Sequence, residues 1–441
     1  MIGGPEDPFE RLRSLPIGTP VRLTVDGRHW QGWILPPDAL SSPRTVRLKL
    51  DSGYNVGVTV SPETVVELLG GEPFGEHAPG PPPAASAATP ARPAGPFVRV
   101  LTTGGTIASR VDYVTGGVRP VSRAESYAEI YPGLEREGPV EFRSLFEILS
   151  EDMTPEHWTR LAQEVVRGFE QGARGIVVAQ GTDTLAYTSS ALAFQLRKLP
   201  GPVVLVGAQR SIDRPSSDGV SNFLAAVRTA HQADLGEVVV AMHHGPSDGR
   251  IDLHRGTRVR KMHSTRRDAF RSRNEPPLGS VEEGKVTLRE GHIPAHPGPP
   301  EAQFGFGAGG SLVWLGPGMT PERLESGCEG ARGIILAGTG MGHAPSYLHP
   351  WIRSMVQKGV VVGMTTQCLE GEVDPYVYAP ARELLRAGVV YLGDMLPETA
   401  YVKLLWSLGH SPDPARVRAL LTSTVAGEMS ERRELSPGES A

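Results

Sequence analysis

The sequence predicts an α/β protein: a pair of α/β subdomains with mostly parallel sheets, preceded by a small N-terminal β-barrel. Three observations predict it. From Phe97 onward, short apolar runs alternate with amphipathic helical stretches, the order that builds a parallel sheet covered on both faces. Ahead of that, several β-type segments crowd into the first 70 residues. Between the two lies a stretch rich in Pro, Ala and Gly, including Pro81-Pro82-Pro83, which holds too little apolar surface to order itself.

With 441 residues, the chain is long enough for two or three domains, each with a sizeable core. The expected boundaries are 1–70 for the barrel, 71–96 for a flexible linker and 97–295 for the first α/β subdomain. A connector over 296–310, the second α/β subdomain over 311–426 and a frayed tail over 427–441 complete the chain.

In the barrel, residues 20–25 lead into Asp26-Gly27, a strong hairpin turn, and residues 30–35 continue the hairpin. Val46-Arg-Leu-Lys-Leu50 alternates apolar and basic residues, as a half-buried strand does. Such a unit can bind RNA or dock a partner. Without a cluster of exposed aromatics and arginines, docking is the expectation.

In the first subdomain Phe97 to Leu101 reads as a buried strand. Thr154 caps a helix with Pro155 in its first position. Trp158, Leu161, Ala162, Val165, Val166 and Phe169 share one face of it, and Gly172 ends it. Strands are expected at 175–179, 202–207 and 237–242, helices at 184–198 and 219–233, and a hairpin at 280–292. The second subdomain has strands at 311–315, 333–337 and 360–364 and helices at 376–387 and 395–408.

Composition excludes several classes. The 44 basic and 49 acidic residues leave a net −5, which argues against nucleic-acid binding over the whole surface. The two cysteines, Cys328 and Cys368, form neither a disulfide framework nor a Cys-based zinc site. The start lacks the basic and apolar regions of a signal peptide, and no apolar run is long enough to span a bilayer. A cytoplasmic protein is expected.

Three places share one chemical logic. Thr103 follows the first strand of the α/β region, flanked by Thr102, Thr106 and the turn glycines Gly104-Gly105. Thr182 and Asp183 follow a second strand, where the next helix points its amides at any bound anion. Lys261 lies in Val259-Arg-Lys-Met-His-Ser-Thr265, read as a loop. Ligands of open α/β sheets bind at the carboxyl ends of strands. A threonine hydroxyl is a weak nucleophile that must be deprotonated or aligned to attack a carbonyl. A lysine serves as base only where desolvation favours its neutral form, and a neighbouring carboxylate works against that. Asp183 is therefore expected mainly to hold an orientation or a substrate ammonium. Taken singly, each residue has a plainer reading: Thr103 as a turn hydroxyl, Thr182 as a helix cap, Asp183 as a first-turn acid, Lys261 as a solvated charge.

Taken together, four phrases in this order, Thr103-Gly-Gly-Thr-Ile-Ala108, Gly181-Thr-Asp-Thr184, Gly207-Ala-Gln-Arg-Ser211 and Lys261-Met-His-Ser-Thr265, resemble the asparaginase/glutaminase family. The segment Lys49-Leu-Asp-Ser-Gly-Tyr-Asn-Val-Gly-Val58 is similar to an added domain found in the D subunits of archaeal-type glutamyl-tRNA(Gln) amidotransferases and lacking in plain asparaginases. Met364-Thr-Thr-Gln-Cys-Leu369 and Gly393-Asp-Met-Leu-Pro-Glu-Thr-Ala-Tyr-Val-Lys403 resemble the C-terminal signatures of the same subunits.

The resemblance implies an asparaginase-like fold and a glutaminase subunit. Thr103 would be the nucleophile on the side-chain amide of glutamine, and Thr182, Asp183 and Lys261 would relay protons. Ser150 and Glu151 would grip the amino acid's backbone charges, although many simple asparaginases resemble this chain with Gln in place of Glu151. Tyr113 would lie in a closing loop, as a catalytic group or as a lid that only excludes water. A GatE-type partner subunit would use ATP and magnesium to activate Glu-tRNA(Gln) and capture the ammonia, forming Gln-tRNA(Gln). This subunit would carry no cofactor or metal of its own, and Gly104-Gly105 lacks the Gly-Lys-Ser/Thr of a phosphate-binding loop. The resemblance further implies a homodimer within a heterotetramer and contact with tRNA(Gln) mainly through the partner; with no apolar run long enough to span a bilayer, no membrane is expected.

Two alternatives stand beside this. A free-standing L-asparaginase shares the same four candidate residues, so the N-terminal barrel discriminates. A non-catalytic docking subunit on an asparaginase scaffold is disfavoured by the intact Thr103, Thr182, Asp183 and Lys261.

Overall fold

The computed structural model describes residues 7–37, 42–50, 55–70, 95–104, 109–111, 118–120, 131–210 and 217–430. Nearly all of the Pro/Ala-rich linker, Thr106 and Tyr113 lie outside them.

The N-terminal unit begins with α1 (Pro8–Ser14), capped by Asp7, whose Oδ1 accepts from the Phe9 amide at 3.1 Å. Five strands follow, β1 (Pro20–Val25), β2 (Arg28–Ile34), β3 (Thr45–Leu50), β4 (Asn55–Thr59) and β5 (Val65–Leu68). They form one antiparallel sheet in the order β4-β3-β2-β1-β5. Asp26 and Gly27 both take positive φ, 49° and 73°, as a tight hairpin turn requires. Alternate residues Val21, Leu23, Val46, Leu48, Val58 and Val60 point inward onto Leu12 of α1.

The first α/β unit is an eight-stranded sheet. Its strands are β6 (Phe97–Thr102), β7 (Val140–Ser144), β8 (Ala173–Ala179), β9 (Val203–Val206), β10 (Val238–His243), β11 (Arg250–Arg255), β14 (Gly279–Glu282) and β15 (Lys285–Leu288). Among the described residues, the short strands β12 (Val259–Lys261) and β13 (Phe270–Ser272) pair only with each other. The order is β15-β14-β11-β10-β9-β8-β6-β7, parallel from β7 to β10 and antiparallel beyond.

Helices cover both faces, which is why the central strands are mostly apolar, with Arg99 of β6 paired to Glu141 as an exception. Phe97, Leu101, Ile176, Val178 and Leu205 meet α2 (Pro155–Glu170) and α3 (Leu185–Gln195). The alternate residues Val98, Val100, Val177, Val204 and Val206 meet Phe223 and its neighbours on α4 (Gly219–Gln232). The second unit is wholly parallel, β16 (Gly310–Trp314), β17 (Gly333–Gly338), β18 (Val361–Thr366) and β19 (Val390–Tyr391), in that order. Helices α5 (Pro321–Gly327), α6 (His349–Gln357) and α7 (Ala379–Ala387) pack on one face; α8 (Pro397–His410) and α9 (Pro414–Thr422) pack on the other.

Several expected bounds shift for identifiable reasons. Helix α7 starts at Ala379 and α8 at Pro397, later than the sequence suggests. Pro380 and Pro397 occupy first-turn positions, where a missing N–H costs nothing, and cannot sit inside a helix begun earlier. Helix α3 stops at Gln195 because Leu196 and Arg197 pair with Ala302 and Glu301. Lys261, expected in a loop, ends strand β12. Residues 427–430, expected in a frayed tail, are held: Glu428 is fully buried, and its carboxylate accepts from the Val425 and Ala426 amides and pairs with Lys403.

The two α/β units meet where α3 packs on α8. Ala191, Phe194, Val402, Leu405 and Trp406 form that contact, joined by Trp158 of α2, with Phe194 and Trp406 stacked at 6.0 Å. Among the described residues, no helix is long and apolar enough to cross a membrane. Trp406→Ala is expected to destabilise the chain by about 3–5 kcal/mol, read as a lower urea midpoint. A loss below about 1 kcal/mol would show that this contact does not hold the units together.

Candidate active site

The neighbouring parallel strands β6, β8 and β9 end in register, Thr102 opposite Ala179 and Ala179 opposite Val206. Strands so paired lie about 4.8 Å apart, so the residues just past their ends rise beside one another. These are Thr103, the turn Gln180-Gly-Thr-Asp-Thr184 and Gly207.

Thr103 is buried, and both its amide (3.1 Å) and its hydroxyl (3.4 Å) reach the Ala179 carbonyl. Its own carbonyl accepts from the Ile148 amide at 3.2 Å. Gly104 beside it has φ +94°, and a Cβ there would stand 2.4 Å from the Ile148 oxygen. Only glycine lets the chain turn this tightly behind the Thr103 hydroxyl.

Thr182 is nearly buried, and Lys261 Nζ donates to its Oγ1 at 2.9 Å. The same Nζ pairs with Asp183 Oδ1 at 2.6 Å. The Lys261 side chain is 16% exposed, whereas that of Asp183 is 63% exposed. A carboxylate and a hydroxyl thus fix one amine, while the Asp183 carboxylate still faces outward. Gly207 makes room: a Cβ there would lie 2.6 Å from Thr182 Cγ2.

Ser150 is buried in a short 3-10 turn, and its Oγ accepts from the Asp183 amide at 3.2 Å. Its carbonyl accepts from the Thr184 hydroxyl at 2.6 Å. Ser150 therefore ties two loops together, and Glu151 next to it is exposed.

Three comparisons bear on this geometry. The families described as "Asparaginase, N-terminal", "Glutaminase/Asparaginase C-terminal domain" and "GatD N-terminal domain" match residues 97–294, 311–421 and 15–69. The D subunit of the glutamyl-tRNA(Gln) amidotransferase of Pyrococcus abyssi is 42% identical, across 96% of this chain and 97% of that protein. Its counterpart in Thermofilum pendens is 43% identical across 93% of this chain and 92% of that one. The chain belongs to the family of glutamyl-tRNA(Gln) amidotransferase D subunits. Among solved structures, the L-asparaginase of Thermococcus kodakarensis has a TM-score of 0.70 at 34% identity, covering 76% of this chain and all of that one (100%). The L-asparaginase I of Vibrio cholerae has a TM-score of 0.67 at 29% identity, covering 76% and 100%.

This member of the D-subunit family brings Thr182, Asp183 and Lys261 into direct contact and sets Thr103 and Ser150 beside their turn. Tyr113 lies outside the described residues.

The sequence did not single out the polar framework behind the turn. Gln180 Nε2 donates to Thr184 Oγ1 (3.3 Å) and Thr188 Oγ1 (3.0 Å). The Gly207 carbonyl accepts from Asn222 Nδ2 at 3.0 Å, and Asn222 Oδ1 lies 2.6 Å from His243 Nδ1. Burial, helped by the Arg267 guanidinium, holds the His243 pKa below its usual value. A neutral ring accepts from Arg267 Nη2 at Nε2 (2.9 Å) and donates from Nδ1 to Asn222. The polar residues at 222 and 243, inside otherwise apolar stretches, were the available signal.

Beside the strand that carries Lys261, His254 Nδ1 lies 2.9 Å from the Ser272 hydroxyl. Burial pushes the His254 pKa down to about 4 from 6.5. The unfolded chain therefore takes up a proton as pH falls through 6.5, and the folded chain does so only near 4. Stability is full above 6.5 and is lost between 6.5 and 4, by an amount on the order of 3 kcal/mol. Urea unfolding at pH 7 and pH 4.5 should show this loss, and His254→Gln should reduce it. An unchanged pH slope in that variant would contradict the assignment.

Proposed function

We propose that this chain is the glutaminase subunit of a tRNA-dependent amidotransferase. The observation that carries the reading is the Lys261 amine shared between Thr182 and Asp183, at the strand end next to Thr103. Amide hydrolysis needs a nucleophile, a route for its proton and a donor for the leaving nitrogen.

Thr103 Oγ adds to the side-chain amide carbon of glutamine, and its proton passes through the Thr182–Lys261 pair to the amide nitrogen. The carbon–nitrogen bond breaks, releasing ammonia and leaving an ester on Thr103. Water, deprotonated through the same pair, then cleaves the ester to glutamate. Asp183 keeps the amine in place and turns its free side toward the substrate ammonium. Ser150 and Glu151 hold the substrate's backbone end, and Tyr113 closes over the site.

On this reading a GatE-type partner binds tRNA(Gln) and uses ATP and magnesium to activate Glu-tRNA(Gln), and the ammonia completes Gln-tRNA(Gln). Two copies of this chain sit in a heterotetramer in the cytoplasm. A free-standing L-asparaginase would use the same residues. The domain at 15–69, and a D-subunit relative aligned over 97% of its own length, favour the amidotransferase reading.

The test is glutamine hydrolysis by the full chain with and without its partner and charged tRNA. Wild type should hydrolyse glutamine well only in the complex. Thr103→Ala and Thr182→Ala should each lower kcat by about 10³–10⁴ with KM little changed. Vigorous asparagine turnover by the chain alone, or activity surviving both substitutions, would contradict the proposal.

A further inference from the structure

The strand that delivers Lys261 is short and belongs to a two-stranded sheet, so its position needs another source. We propose that Arg258 and Asp394, locked by residues 425–430, are positioning residues for the Lys261 amine, so that the second α/β unit sets the chemistry of the first. The proposal rests on the reading that Lys261 serves the reaction.

A free lysine side chain samples many rotamers, and ordering one costs up to about 2 kcal/mol. Holding Nζ against two acceptors therefore requires a fixed backbone beneath it. Three of the four residues before Lys261 are gripped from outside their own sheet. The Thr257 hydroxyl donates to the Ala426 carbonyl at 2.9 Å. Arg258 donates from Nε to the Gly427 carbonyl at 2.7 Å and from Nη2 to Ser430 Oγ at 2.9 Å. Its Nη1 pairs with Asp394 Oδ2 at 2.8 Å, both side chains being 2% exposed. Arg260 pairs with Glu398 of α8 at 3.0 Å. The remaining residue, Val259, enters the first unit's core.

The grip is itself anchored. Asp394 Oδ1 accepts from the Ser430 amide at 3.0 Å, and its carbonyl accepts from Asn274 Nδ2 at 2.8 Å. Glu428 pairs with Lys403 of α8 at 2.5 Å, and both side chains are fully buried. Gly427, at φ +70°, passes so close to Arg255 that a Cβ would stand 2.4 Å from its Nη1. Leaving one member of a buried charged pair without its partner is costly, so residues 425–430, Asp394 and Arg258 are held in one arrangement. A shift of about 1 Å at a reacting group can cost about a hundredfold in rate.

The test uses the full chain with its partner. Asp394→Asn keeps the shape and removes the charge; Ser430→Ala removes one hydrogen bond and is the milder variant that decides the matter where Asp394→Asn does not fold. Two readouts are taken. The first is the rate of Lys261 acylation by a soluble amine-directed reagent, followed by peptide mass spectrometry against Lys358, whose side chain is 58% exposed. Lys261 labelling should rise severalfold in the variants while Lys358 stays constant.

The second readout is kinetic. Asp394→Asn should lower kcat by about ten- to a hundredfold with KM within about twofold, and should cost nothing further in a Lys261→Met background. Unchanged Lys261 labelling in both variants, or losses that multiply in the double variant, would overturn the inference. A wild-type complex that hydrolyses neither glutamine nor asparagine overturns the functional reading instead, and the labelling still decides whether Asp394 positions Lys261.

Discussion

The Lys261 amine, held at 2.9 Å from Thr182 and 2.6 Å from Asp183, is the interaction on which the site depends. The two threonines stand just past the ends of adjacent parallel strands of one sheet, so the fold places them side by side without special effort. The lysine comes from 79 residues beyond Thr182 and from outside that sheet. Without it, Thr182 is an ordinary hydroxyl at a helix start. With it, hydroxyl, amine and carboxylate form a connected path at the place where a parallel sheet receives ligands.

The surroundings devote their polar groups to rigidity. Ser150 ties the turn 182–184 to the loop after β7, and Asn222 and His243 fix the Gly207 turn behind Thr182. Gly104 and Gly207 are small because neighbouring atoms fill the space a side chain would take. The polar residues 150, 222 and 243 are buried and bonded to their neighbours, an arrangement that holds the surrounding side chains in place at low cost when each has a partner.

Much of this was legible in the sequence because it is local. Apolar runs marked β6, β8, β9 and β10; Thr154-Pro155 and Gly172 bracketed α2; Asp26-Gly27 marked the hairpin. Thr103, Thr182, Asp183 and Lys261 each had a plainer reading taken singly and stood out through the resemblance of their phrases to the asparaginase/glutaminase family. What the sequence concealed is non-local. The strand at Lys261 exists through pairing with residues 270–272, and no periodicity is visible over three residues. Residues 427–430 look like a polar tail, yet Glu428 is buried because Lys403, 25 positions earlier on α8, faces it. The starts of α7 and α8 were open to inspection, since Pro380 and Pro397 mark them, but apolar residues upstream masked the signal.

The central claim is that Thr103 attacks the amide while the Lys261 group handles the proton. Its most direct test is covalent trapping in the intact complex with a glutamine analogue whose side-chain amide is replaced by a diazomethyl ketone, which loses dinitrogen as the attacking hydroxyl forms a stable ether, the site of attachment being mapped by mass spectrometry. The account predicts one adduct, on Thr103, that forms far more slowly when Lys261 is replaced by methionine. An adduct on Thr182 or elsewhere, or attachment to Thr103 at an undiminished rate without the Lys261 amine, would contradict it.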